Sequence, residues 1–488
     1  MSRQSILDVA KYLRNVRPID PEEAVEYVEG GAHPAVVRQT LRDNALSLGL
    51  YERADGTFVP ASEGTLSPGF DEVGAMPERY LLRLEDLLVE RFGPDWADGE
   101  SGAALRGEIR RLKERYYRQH AVDYSYETAL GYALYHLPDY YATAGYALDE
   151  LGSRDLLPST LRVLDVGAGV GGPALALAEY AADALVEYHA VEPSAAADVL
   201  EELLAETPRN FHPTVHRSTA EAFEPDGISA LRADGQRDSA ESRDGYDLVL
   251  FANVLIELSD PTAVLRKYLG HLASDGAALA LSPADKNTAT GLREVEHEVV
   301  DGDDDYTVFA PALRLWPGRE PTDHCWSFDR KPDLDVPPLQ RRLDEGRRAA
   351  GERGERDAAT GEFVNRDVQY AYSILRRDGK RRVDVTASEE RFAPLAESEA
   401  HVTDRIDCIA VKLSRSLSEG NPLFLLGDGS QSESHYAVLT RETGLNRPLV
   451  EADYGDVLIF ESVLVLWNDD ENAYNLVVDE ECVVDRVG

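Results

Sequence analysis

The residues with the clearest chemical potential lie in LRVLDVGAGVGGPALALAEY, residues 161–180. An apolar run carries Asp165 near its end and is followed by glycine at 167, 169, 171 and 172, with Pro173 where a helix would begin. Glycines in a strand–turn–helix segment let the chain reverse tightly and bring backbone N–H groups close to a bound ligand. Gly167, Ala168, Gly169 and Gly171 are therefore expected to form a cofactor loop. Twenty-five positions beyond Gly167, the next apolar run, VEYHAVEP, ends in Glu192. An acid at such a strand tip is placed to accept both hydroxyls of an adenosine ribose.

Two nucleotide cofactors fit this plan. Gly167-x-Gly169-x-x-Gly172 satisfies the dinucleotide fingerprint, so NAD stays open as an alternative. Three details favour S-adenosylmethionine. Asp165 stands where a pyrophosphate would approach, and a carboxylate there repels phosphate but suits a cationic ligand. The motif also begins well into the chain, whereas many NAD domains lead theirs. Finally, YDLVLFANVLIEL (246–258) resembles the fourth strand and following motif of class I S-adenosylmethionine-dependent methyltransferases. That resemblance implies that Ala252, Asn253 and Val254 border the transferred methyl group. It makes Asn253 a candidate for both cofactor binding and catalysis, and it places Glu221, in TVHRSTAEAF, at the adenine amino group. Asn253 is followed by Val254, so the (N/D)PP(Y/F) signature of N-methyltransferases is absent. Catalysis would then rest mainly on alignment of nucleophile and methyl group.

The elements that must position these groups follow from periodicity. Residues 161–282 alternate strand and helix patterns, which implies a Rossmann-like parallel sheet with helices on both faces. Ahead of it, three helical segments (4–15, one opened by Asp20-Pro21, and one from Pro34 to about Leu48) precede two short strands joined at Asp55-Gly56. That is the outline of a winged helix over residues 1–63, whose third helix would present Arg38 and Arg42 to a nucleic-acid groove. Glu22, Glu23, Glu26 and Glu29 suit a protein-docking role instead. A helical region (64–124) links it to a methyltransferase domain expected over 125–385. Within that domain DGISALRADGQRDSAESRDG (226–245) reads as a polar insert, 344–362 as a second loose segment, and VQYAYSIL with RRVDV as an antiparallel edge hairpin. From 400 to 488 only short strands remain, separated by Gly427-Asp428-Gly429 and Asn468-Asp469-Asp470, which suggests a small closed β-barrel, OB-like in outline.

Composition bounds the rest. The chain has 488 residues, enough for two to four domains. Lys+Arg number 50 against 90 Asp+Glu, a net charge of −40, and only seven of the basic residues are Lys. So acidic and Lys-poor a chain resembles the proteins of salt-accumulating halophiles. Three cysteines, Cys325, Cys408 and Cys482, are too few and too scattered for a disulfide framework or a four-Cys zinc site. The N-terminus is charged throughout, without a signal-peptide core, and no run reaches membrane-spanning length; a cytoplasmic protein without a membrane partner is expected.

The segment ETALGYALYHLPDYYATAGYALDELG, directly before the glycine loop, resembles the methyltransferase-like proteins of the small ribosomal subunit. Thr128, Ala129, Tyr132, Ala133, Pro138 and Tyr141 match that family's helix pattern, while His136 stands where it has Arg. The resemblance implies the small ribosomal subunit or its RNA as partner and substrate. The family's four cluster-binding cysteines are reduced here to Cys325 in DHCWSF, so no iron–sulfur cluster and no metal is expected. Residues 330–382 hold 14 Lys+Arg against 10 Asp+Glu, a basic island in an acidic chain. Positive charge is most useful against phosphate. Arg341, Arg342, Arg347, Arg348, Arg376, Arg377, Lys380, Arg381 and Arg382 are accordingly the RNA-contact candidates.

Overall fold

Three apolar runs, Thr160–Val166, Leu185–Val191 and Tyr246–Ala252, form strands buried on both faces, which leaves no position for the polar alternation of a half-exposed sheet. The structure, a computed structural model, describes residues 3–66, 73–117, 124–225, 245–302, 305–319, 321–322, 326–349 and 361–487. It divides into two units, Met1–Leu250 with Pro332–Asp367, and Phe251–Lys331 with Val368–Gly488.

In the first unit, β1 (Thr160–Val166) runs parallel to β2 (Leu185–Val191), with Val163 opposite Tyr188 and Asp165 opposite Ala190. Strand β3 (Phe211–His216) extends the sheet beyond β2, and β4 (Tyr246–Ala252) lies along the other side of β1, with Asp165 opposite Leu250. The resulting order, β3-β2-β1-β4, is the one expected of a Rossmann-like sheet, and it brings the glycine loop to the strands' carboxyl ends. Helix α1 (Tyr126–Gly152) starts at Ser125, whose hydroxyl accepts the Thr128 N–H, and passes Pro138 as one helix. It packs along α2 (Gly172–Tyr180), while α3 (Ala196–Leu204) follows β2.

The N-terminal segment of this unit has its own core of Ile6, Leu13, Ile19, Val37, Leu41, Leu50 and Phe58. Its helices are Arg3–Leu13, Pro21–Ala24, capped by the Asp20 side chain, and Pro34–Asp43; its hairpin pairs Leu50–Glu52 with Phe58–Pro60. The third helix stops at Asp43 rather than Leu48, because the chain breaks at Asn44 before the turn Ala45–Leu48 and the left-handed Gly49. Arg42 does not point outward: it grips the buried Glu52 carboxylate through two bonds of 2.6 and 2.7 Å, and Asn210 holds the Glu52 backbone.

In the second unit, β5 (Leu272–Pro283) pairs antiparallel with β8 (Val368–Arg376), which also pairs with β6 (Thr307–Ala310) and β7 (Asp329–Lys331). The expected hairpin of VQYAYSIL with RRVDV does not form. Asp378 turns back on Arg376, and Arg382 is drawn to Tyr454 O and the Asp456 carboxylate, so the chain leaves the strand edge. Strands β9 (Arg405–Lys412), β10 (Leu423–Gly427), β11 (His435–Leu439), β12 (Val457–Asn468) and β13 (Ala473–Val478) close a five-stranded barrel. Its ring order is β9-β10-β11-β13-β12 and back to β9; β11–β13 is the parallel pair, and β14 (Val483–Val487) adds to β12. Cys408, Ala410, Phe424, Leu426, Phe460, Val465 and Leu476 fill its interior.

Candidate functional site

The glycine loop leaves β1 with φ of +73° at Gly167, +54° at Gly169 and +94° at Gly171, a left-handed backbone that side chains disfavour. The N–H groups of Gly167 and Ala168 both donate to Val191 O, at 2.8 and 3.2 Å, which ties the loop to the end of β2. A Cβ on Gly172 would stand 2.9 Å from Tyr140 Cβ and 3.3 Å from the Tyr141 nitrogen of α1. By contrast, a Cβ on Gly169 would meet nothing within 4 Å. One glycine is there for helix packing and the other faces open volume where a ligand backbone contact can be made.

Glu192 is buried at the tip of β2. Its Oε2 accepts the Gly169 N–H at 2.9 Å and its Oε1 accepts the Ser194 N–H at 2.9 Å. Each carboxylate oxygen keeps a further lone pair, so the group can shape the loop and still accept two ribose hydroxyls.

Asp165 is fully buried, and the Tyr188 hydroxyl donates to its Oδ2. Its Oδ1 is also buried and has no hydrogen-bond partner. Burial pushes the Asp165 carboxyl up to about 7, against the opposing donation from Tyr188 and with the Glu192 charge adding to the rise. The Tyr188 hydroxyl is driven well above its ordinary range by burial and by the Asp165 charge. A buried acceptor without a donor is costly unless a ligand supplies one, and an ammonium group does so most strongly.

Asp165, Gly167, Ala168, Gly169, Gly171 and Glu192 thus converge on one loop. Tyr188 was not legible as a site residue, being an aromatic within an apolar strand. Glu221 sits exposed in the turn after β3. Asn253 belongs to the second unit, where its backbone N–H donates to Leu281 O at 3.0 Å and its φ is +61°.

The basic candidates separate by burial. Arg347 is buried against Asp344 at 3.2 Å. Arg376 is buried in a two-pronged pair with Asp378 (2.9 and 2.6 Å) and also reaches Asp275 O. The Arg382 side chain is held by Asp456 at 3.0 Å. These three are structural, because each guanidinium is buried as the counter-ion of a carboxylate. Arg342 binds Glu85 and Pro94 O and lies over the Trp96 ring, while half-buried Arg381 reaches Arg314 O at 3.3 Å. Arg341, Arg377 and Lys380 are exposed, Lys380 lying 3.6 Å from Asp378. The Arg348 side chain, Cys325, and the insert over 226–244 lie outside the described residues. Cys408 and Cys482 are buried free thiols. Among the described residues, no cluster of three or more His, Cys, Asp or Glu could hold a metal ion, and no helix is long and apolar enough to cross a membrane.

Residues 136–333 match the model of a methyltransferase domain. Residues 3–54 and 396–487 match the N-terminal and C-terminal domains of a family described as a domain of unknown function (DUF8157). No curated protein matches the chain in sequence. Among solved structures it is similar to the plantazolicin methyltransferase BpumL in complex with SAH, with 9% identity, a TM-score of 0.30, and coverage of 61% of this chain and 100% of that one. It is also similar to the [4+2]-cyclase SpnF, at 16% identity, TM-score 0.28, and coverage of 48% and 81%. A third is the precorrin-6y C5,15-methyltransferase from Geobacter metallireducens, at 14% identity, TM-score 0.27, and coverage of 48% and 84%. Residues 136–333 thus match a methyltransferase domain, and the sheet they contain, ordered β3-β2-β1-β4, is Rossmann-like.

Proposed function

We propose that this protein binds S-adenosylmethionine in the Gly167–Gly171 loop and transfers its methyl group to RNA of the small ribosomal subunit or to the assembling subunit. The observation that carries the cofactor half is the orphaned Asp165 Oδ1 beside a loop whose Gly169 faces open space. Asp165 would receive the ammonium end of the cofactor, the open face at Gly169 would let the cofactor's chain pass close to the loop, and Glu192 would take its ribose hydroxyls. The cofactor, when bound, supplies an electrophilic methyl group on a sulfonium. The chain's own contribution is to hold it in one orientation, so that the acceptor meets the methyl in line.

The acceptor half rests on the helix pattern carrying Thr128, Ala129, Tyr132, Ala133, Pro138 and Tyr141. Exposed Arg341, Arg377 and Lys380 are the groups that would meet phosphate, and the winged-helix-like and OB-like appended domains suit a large ribonucleoprotein partner. The test is transfer of labelled methyl groups to immature small subunits from a strain lacking this protein, at molar KCl. Label in RNA, lost with Asp165→Ala, is the expected result. Cofactor and particle binding without label would replace the enzyme by an assembly factor. Cofactor binding without particle binding would point to a small-molecule acceptor.

A further inference from the structure

Helix α1 carries a second buried carboxylate, outside the cofactor loop and within the same unit. Asp139 is only 8% exposed, and its Oδ1 is buried without a hydrogen-bond partner among the described residues. Its Oδ2 lies 3.4 Å from Nδ1 of His136, one turn earlier. Burial raises this carboxyl, against the opposing pull of His136 and of the nearby Asn365 amide. The amides at this point are committed elsewhere. Pro138 has no N–H to give Leu134 O, four residues back, and Gln340 Nε2 takes its place, donating to Leu134 O at 2.9 Å and to Tyr135 O at 3.0 Å. Asn365 donates its backbone N–H to Gln340 Oε1 at 2.7 Å and its side-chain amide to Tyr135 O at 3.4 Å. The helix is braced at its proline, and Asp139 Oδ1 is left over.

His136 also belongs to a cluster of rings on that helix face. It stacks on Tyr140 with centroids 5.1 Å apart, and Tyr132 lies 5.2 Å from His136 and 5.9 Å from Tyr140. The cluster opens to the surface at His136, whose side chain is 22% exposed. Tyr140 sets it beside the cofactor loop, since its Cβ is the atom that a Cβ on Gly172 would meet. An unpaired carboxylate oxygen in a low-dielectric setting is best answered by a charged donor, and the faces of tyrosine rings attract the same positive charge. The chain already uses this chemistry one position before His136, where the Lys113 ammonium lies 3.8 Å from the Tyr135 ring centroid. A quaternary ammonium has no N–H for Oδ1, whereas a protonated amine does.

We propose that Asp139, with the rings of Tyr132, His136 and Tyr140, forms a binding site for a primary alkylammonium group, carried by a lysine side chain or by a free amine. His136 lies on Oδ2 and fixes the carboxylate, and Oδ1 accepts from the ligand. The site is separate from Asp165 and does not rest on the methyl-transfer reading.

The test is saturation-transfer NMR on the full-length chain in molar KCl, which screens its surface carboxylates. The probes are N-acetyl-lysine methylamide and butylammonium, each compared with a neutral counterpart, N-acetyl-norleucine methylamide and butanol. Saturable binding of a charged probe in preference to its counterpart is expected. A preference confined to the lysine amide identifies a side chain as the ligand, and an equal preference for butylammonium identifies a free amine. Asp139→Asn, which keeps the side chain's shape, should weaken the charged probe by about tenfold or more. Tyr140→Leu should weaken it by about fivefold, and it decides the matter if Asp139→Asn does not fold. Asp165→Asn should leave the preference intact, which separates this site from the cofactor carboxylate. No preference for either charged probe, a preference that survives Asp139→Asn and Tyr140→Leu, or one lost only with Asp165→Asn would overturn the site.

Discussion

Cofactor affinity should depend on pH through Asp165, and the size of the effect follows from its burial. Only the ionised carboxylate pairs with a ligand ammonium, and in the free protein burial pushes this group up to about 7. At pH 5.5 about one site in thirty is then ionised, and at pH 7.0 about half are, so Kd for S-adenosylmethionine should fall by about 16-fold over that interval. That corresponds to about 1.6 kcal/mol, and the interval stays below the titration of an ordinary α-amino group. An unperturbed aspartate, already ionised at pH 5.5, would change Kd by only a few per cent. Isothermal titration calorimetry across the interval reads the slope directly. Asp165→Asn supplies the reference, because it keeps the Tyr188 bond and cannot ionise; its binding should be weak and nearly flat with pH. Tyr188→Phe removes the one donor that favours the carboxylate, so the wild-type curve should move to higher pH. The same linkage acts on folding with a defined sign. A carboxyl raised in the fold contributes stability that is complete below its unfolded value near 4 and is lost as pH rises through about 7. Asp165→Asn should therefore raise the Tm of the ligand-free protein more at pH 8 than at pH 5. A wild-type Kd that is flat from pH 5.5 to 7.0, or the same slope in Asp165→Asn, would refute the assignment of Asp165 to the cofactor ammonium.

Two glycines should separate packing from binding. Gly172→Ala forces a Cβ to 2.9 Å from Tyr140 Cβ and against the α1 backbone, so it should cost about 1–3 kcal/mol in thermal unfolding. Gly169→Ala meets open space and should cost only about 1 kcal/mol from its left-handed backbone, yet it should weaken the cofactor far more than it weakens the fold. Among the arginines, Arg376→Ala strips the Asp378 carboxylate of a buried partner and should cost about 3–5 kcal/mol in urea unfolding, whereas exposed Arg341→Ala should stay within about 0.5 kcal/mol. Equal losses for the two would mean that burial does not decide which basic residues are structural.

The parts of this protein legible in its sequence are those set by local rules. A glycine at 167, 169 or 171 is demanded by a left-handed backbone at that residue alone, and an acid at a strand tip needs only the strand before it; the loop and Glu192 could be placed without a fold. Short strands broken by Gly and Asp clusters likewise announce a small barrel. The tertiary structure decided what depends on residues distant along the chain. Strand β8 could have paired with the basic segment after it, but its partners are β5, β6 and β7, because register and burial select a strand's neighbours. Arginines 347, 376 and 382 read as a basic island, yet their charges belong to Asp344, Asp378 and Asp456; a chain rich in acids offers many partners, and only packing says which carboxylate is desolvated beside which guanidinium. The same holds for Asp165. Its type and place in the motif were readable, but its titration, raised by complete burial against the Tyr188 donation, and its orphaned Oδ1 exist only once β2 lies beside β1.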